Sequence, residues 1–179
     1  MNTQVVTLEV NKEGIAIVSL SNPPVNAHSQ LLLSEVAWTF DTISDREDIK
    51  IAILTGAGKC FCAGADIKER MATDPQPGDH WQNSRRAREA YHSIMECQKP
   101  VIAAINGLCY GGGVELALSC DIVLASENAT FCLVENQLGA IPASGACNRM
   151  IHHVGLAKTK AAVVRTDKHA DSEGGGSGG

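Results

Sequence analysis

Short strand-like runs alternate with helical segments along most of this chain, and that alternation restricts the possible folds more than any single motif does. Residues 4–10 (QVVTLEV) and 15–20 (IAIVSL) flank Asn11-Lys12-Glu13-Gly14, a polar connection ending in glycine, so the chain is expected to begin with a β-hairpin. After Pro23-Pro24, the residues Leu32, Val36, Phe40 and Ile43 recur at steps of three or four, the spacing that gathers apolar side chains on one face of a helix over 29–43. Further strands are expected over 49–55, 101–105, 121–125 and 130–133, with helices over 80–97 and 145–153. Strands interleaved with helices predict an α/β domain with crossover connections. Pro75-Gln76-Pro77-Gly78 reads as a mobile loop, and the run Gly174 to Gly179 has the composition of a flexible linker. The expected division is therefore a core domain over 1–166 and a flexible tail over 167–179.

Composition narrows the function classes. Of 179 residues, 44% are hydrophobic and 20% charged, which suits one globular domain with an ordinary core. The formal net charge is -5 and the basic residues are scattered, which argues against a nucleic-acid partner. Arg85, Arg86 and Arg88 are the one dense basic patch and read as the solvated face of a helix. No stretch approaches the ~18 apolar residues of a membrane span. The start MNTQVVTLEV also lacks a positive segment followed by an apolar run, so a soluble, unexported, cytoplasmic protein is expected. The seven cysteines form no C-x-x-C pair, and adjacent His152 and His153 would point in different directions on a helix; no metal is expected. Ser144 lacks a G-x-S-x-G context, and Cys62 reads as a buried structural thiol.

The chemistry is expected at two glycine loops. Asn106-Gly107-Leu108-Cys109-Tyr110-Gly111-Gly112-Gly113 follows a strand and leads into the helical Val114 to Ser119. The first turn of a helix offers amide N–H groups without intrahelical partners, and residues lacking side chains let a polarised carbonyl approach them. The plainer alternative is a glycine turn that permits close helix–strand packing. Neither G-x-G-x-x-G nor the P-loop lysine is present, so a nucleotide fingerprint is excluded. A second glycine loop, Phe61 to Lys68, follows the strand ending near Thr55, and the two loops are expected to meet at one edge of the same sheet. Glu115 lies one turn into the helix that the glycines open, flanked by small or apolar residues, and Glu135 follows the 130–133 strand. A nearby carboxylate pair can share one proton and divide the roles of base and acid.

Several segments together resemble the signature of the crotonase (enoyl-CoA hydratase/isomerase) family. They are Phe61 to Glu69 (FCAGADIKE), Lys99 to Gly107 (KPVIAAING), Gly111 to Leu116 (GGGVEL) and Cys120-Asp121-Ile122, and the likeness extends over residues ~5 to ~160. It implies a spiral of ββα units, with most of the C-terminal helical region of the family missing. It also implies an enzyme that hydrates a trans-2-enoyl-CoA to a 3-hydroxyacyl-CoA. By similarity, the Ala65 and Gly112 amides hold the thioester oxygen, Glu115 activates water and Glu135 protonates the α-carbon. Ala63, Asp66, Ile67 and Lys68 are placed along coenzyme A, the last near its phosphates. The substrate is carried as a coenzyme A thioester, with no permanently bound cofactor, and the family assembles as homo-trimers or hexamers. Isomerisation, hydroxycinnamoyl-CoA hydration with C–C cleavage, thioester hydrolysis and an inactive core fragment are the alternatives. Val134 stands where the family usually has Pro, and Ala143-Ser144-Gly145-Ala146 replaces a glycine-rich stretch, which bears on the shape of the acyl pocket.

Overall fold

The computed structural model describes residues 3–72, 77–165 and 169–170. Asn11 closes the first hairpin, its side-chain oxygen accepting from Glu13 N and Ile15 N, while Gly14 supplies the positive φ of 85° that the turn requires. This pairs β1 (Val6–Val10) antiparallel with β2 (Ile15–Leu20). Helix α1 (Gln30–Asp45) follows, capped by the Ser29 hydroxyl accepting from Leu32 N. The predicted stripe holds, because Leu32, Val36, Phe40 and Ile43 are all fully buried. Glu35 is buried on the same helix, and its carboxylate accepts from the main-chain N–H groups of Gln4, Val5 and Val6, which fastens the start of β1 to α1.

From here each strand pair serves two sheets. Strands β3 (Ile51–Gly56), β5 (Val101–Ile105) and β7 (Ile122–Ala125) extend the hairpin into a five-stranded sheet of order β1-β2-β3-β5-β7, parallel from β2 onward. The strand after each of these, β4 (Cys60–Cys62), β6 (Leu108–Tyr110) and β8 (Thr130–Cys132), joins a second sheet in parallel order β4-β6-β8. Helices α2 (Ile67–Ala72) and α3 (Asp79–Met95) follow the first pair, α4 (Gly112–Ala117) the second, and a 3₁₀ turn (Glu135–Leu138) with α5 (Ala146–Val164) the third. The result is a spiral of ββα units.

Three expectations change. The glycine loops do not meet at the edge of the first sheet; they leave the ends of β4 and β6, adjacent strands of a second sheet, each three residues long and set between glycines that read as loop. The last helix continues well beyond residue 153, bending where Gly155 adopts φ 80°. Within the expected tail, His169–Ala170 pairs antiparallel with β8, since an edge strand offers main-chain groups to any extended segment. The proposed loop residues Pro75 and Gln76 and the Gly/Ser run lie outside the described residues. Arg85 and Arg88 are exposed on α3, as expected of a solvated face.

Candidate active site

The ends of β4 and β6 bring the two glycine loops into contact. Gly64, at φ 86°, lies so close to the second loop that a methyl group there would sit 2.8 Å from Tyr110 O and 3.1 Å from Gly112 N. A methyl on Gly113 would run into the carbonyl oxygen of Cys62. Both positions therefore need glycine for the loops to approach. The Cys62 thiol accepts from Gly64 N at 3.3 Å and is pushed up to about 12 by burial, so it is a structural group and not a nucleophile.

The direction of the Ala65 amide follows from a short parallel bridge between residues 28 and 65. His28 N donates to Gly64 O at 2.7 Å and Asp66 N donates to His28 O at 3.1 Å. Successive amides of an extended segment point to opposite sides, so Ala65 N–H points away from this bridge. Gly112 opens α4 after Gly111, whose own N–H donates to Cys132 O, and its amide has no intrahelical partner.

Two carboxylates border the second loop. Glu115 is 4% exposed, and its Oε1 accepts from Ser144 N at 2.6 Å and Ala146 N at 3.2 Å, so it closes the start of α5. Arg149 donates to both Ser119 Oγ and Ser144 O, tying α4 to the same segment. Glu135 Oε1 lies 3.3 Å from where a methyl on Gly111 would stand, and its Oε2 is buried without a partner. Burial raises the pKa of both groups. For Glu115 the rise is opposed by the Ala146 and Ser144 amides; for Glu135 it is opposed by the residue's own main-chain amide, while the charge of Glu115 adds to it.

The residues expected along coenzyme A sit on or beside the first loop. Ile67 and Lys68 are exposed in the first turn of α2, Ala63 N donates to Val25 O, and Asp66 Oδ1 accepts from Glu69 N as the cap of α2. A cleft of about 480 Å³ opens between α3 and the start of α5, with Tyr91, Met95, Ala143 and Ser144 in its wall. That size suits a small-molecule ligand.

Sequence reasoning missed His28 and Tyr91. Tyr91 is 3% exposed, and its hydroxyl donates to Gly112 O at 3.3 Å and meets His28 Nδ1 at 3.2 Å. Its phenol is raised well above the ordinary range, first by burial and then by Glu115, which marks its nearness to the carboxylates. The available signal was weak: Ala87, Ala90, Tyr91 and Ile94 share a helical face, a pattern that usually means core.

A sequence model of enoyl-CoA hydratase/isomerase matches residues 10–176. The probable mitochondrial enoyl-CoA hydratase of Dictyostelium discoideum is 38% identical over 164 residues, covering 90% of this chain and 57% of that protein. The short-chain-enoyl-CoA hydratase of Clostridium acetobutylicum is 37% identical over 154 residues, covering 84% of this chain and 58% of that one. This chain thus spans less than two thirds of the length of these relatives. Among solved structures, an enoyl-CoA hydratase from Bacillus anthracis superposes with a TM-score of 0.88 at 32% identity, over 95% of this chain and 66% of the other.

Proposed function

The chain belongs to the enoyl-CoA hydratase/isomerase family, and from that premise we propose that it hydrates a trans-2-enoyl-CoA to the 3-hydroxyacyl-CoA. The observation that carries the reading is the contact between the Gly64-Ala65 loop and the Gly111-Gly112 turn, with Glu115 and Glu135 beside them.

In the proposed reaction the Ala65 and Gly112 N–H groups donate to the thioester oxygen. Water adds to the β-carbon, the double-bond electrons move to that oxygen, and the enolate then takes a proton at the α-carbon. Donors fixed before charge develops stabilise this enolate, and one such donor is typically worth about 10²–10³ in rate. The hydrogen bonds of the two glutamates support a division of labour. Glu115 has two amides holding its anion and serves as the base for water. Glu135, whose carboxyl burial and the charge of Glu115 push upward, is assigned the role of the acid. Ala63, Asp66, Ile67 and Lys68 are assigned to the coenzyme A side, with the Lys68 ammonium facing phosphate. The reaction needs no permanently bound cofactor.

Crotonyl-CoA and feruloyl-CoA assayed side by side, with coenzyme A binding measured by calorimetry on the same sample, test the reading. Hydration of crotonyl-CoA is expected. Turnover of feruloyl-CoA alone would move the assignment to C–C cleavage, and binding without turnover would make the chain a ligand-binding core.

A further inference from the structure

We propose that His28 and Tyr91 form a positioning pair that sets the Gly112 turn against the Ala65 amide, so that one residue, His28, fixes both oxyanion donors at once. The inference rests on the oxyanion reading above and adds two residues to it.

His28 reaches the first donor through its main chain and the second through its ring. Its N–H and carbonyl hold Gly64 and Asp66, which orients the Ala65 amide between them. Its imidazole meets the second loop so closely that a methyl on Gly112 would lie 2.9 Å from Nδ1. Tyr91 approaches the same atom from α3: that methyl would lie 3.0 Å from its hydroxyl. With the phenol proton donated to Gly112 O, the 3.2 Å contact places the imidazole proton on Nδ1, donating to the phenol oxygen. Three elements therefore converge on one glycine: the segment before α1, the helix α3 and the turn itself.

Packing alone does not account for this choice of residues. Burying an imidazole and a phenol is costly unless their polar atoms are paired, and His28 Nε2 is buried with no partner. A leucine and a phenylalanine would fill the space without that cost. What the polar pair supplies is direction: a hydrogen bond to the Gly112 carbonyl restricts rotation about the residue whose N–H is the second donor. Neither side chain is assigned a proton-transfer step, and the pair acts through Gly112.

The test measures carbonyl polarisation in the full chain with 4-dimethylaminocinnamoyl-CoA, whose absorption moves to longer wavelength when donors grip its thioester oxygen. Tyr91→Phe removes one oxygen atom and keeps the ring. It is expected to bind within about threefold of wild type while losing most of the red shift, and to lower kcat about tenfold with KM within about twofold. His28→Leu should behave alike, the double variant should be no worse than the worse single one, and His28→Asn, which restores a donor near the Nδ1 position, should recover part of the shift. A merely structural pair would lower the unfolding midpoint and leave the shift of the bound thioester intact; that result overturns the positioning role and leaves the oxyanion reading standing. If wild type itself binds the probe without a red shift, or does not bind it, the oxyanion reading falls and the pair with it. Should His28→Leu fail to fold, Tyr91→Phe decides alone.

Discussion

Glu115 gives one carboxylate oxygen to two main-chain amides, whereas Glu135 keeps Oε2 buried and unpartnered, and this difference separates what their loss should do. Glu135→Gln is expected to lower the hydration rate by about 10²–10⁴ while keeping the fold. Because burial raises its folded pKa, Glu135 binds its proton more tightly in the folded chain. Its contribution to stability is present below the unfolded value and is lost as pH rises through the folded one. Glu135→Gln should therefore be more stable than wild type at neutral pH, with the difference closing near pH ~4 in urea titrations. A difference independent of pH would contradict this. His28 has the opposite sign. Burial, and behind it the charge of Arg70 on α2, lower its pKa from 6.5 to about 4, while the Tyr91 hydroxyl on α3 contacts Nδ1. The unfolded chain binds this proton first, so stability present above pH 6.5 is lost as pH falls toward 4. The loss is about 3 kcal/mol over that window. His28→Leu should flatten this acid limb, as read by denaturant midpoints at several pH values.

Helix α4 and its glycine turn are where local geometry matters most. Gly112→Pro is expected to abolish turnover, since it removes the N–H assigned to the oxyanion; a variant with full rate would eliminate that assignment. Gly113→Ala pushes a methyl into the Cys62 carbonyl and is expected to cost at least about 1–3 kcal/mol, seen as a lowered unfolding midpoint. These elements differ in how far sequence revealed them. Helix α1 was legible because steps of three or four repeat long enough to be counted, as in Leu32, Val36, Phe40 and Ile43, and strands β2, β3 and β5 because each is an apolar run of five or six residues bounded by Gly or Pro. Strands β4 and β6 were not, because Cys60–Cys62 and Leu108–Tyr110 hold three residues each and lie between glycines that read as loop, whereas β8, equally short, stands outside such a stretch. The burial of Glu115 was legible from its apolar neighbours, but its anchoring by Ser144 and Ala146 was not, because those amides arrive from 29 and 31 residues away. Tyr91 and His28 were hidden for the same reason: 63 residues separate them, and neither carries a local signature of its contact.

At the scale of the molecule, the site is assembled from segments that only the spiral brings together. Residues 28, 64–65, 91, 111–115, 135 and 144–146 come from every turn of it. Helix α1 packs on α3, which carries Tyr91, so the apolar face of α1 supports the site through α3. Phe40→Ala, at a fully buried position, is expected to cost about 3–5 kcal/mol, read from denaturant unfolding. A loss under about 1 kcal/mol would mean that this face contributes little to the fold. Among the described residues no helix is long and apolar enough to cross a membrane, which agrees with the absence of any such run in the sequence. The most direct test of the whole account is a crystal structure of the chain with a non-reacting acyl-CoA thioester bound. The account predicts the thioester oxygen within about 2.7–3.2 Å of both Ala65 N and Gly112 N, with Glu115 and Glu135 flanking the α- and β-carbons. A thioester oxygen directed to solvent, or gripped by any other pair of groups, would contradict it.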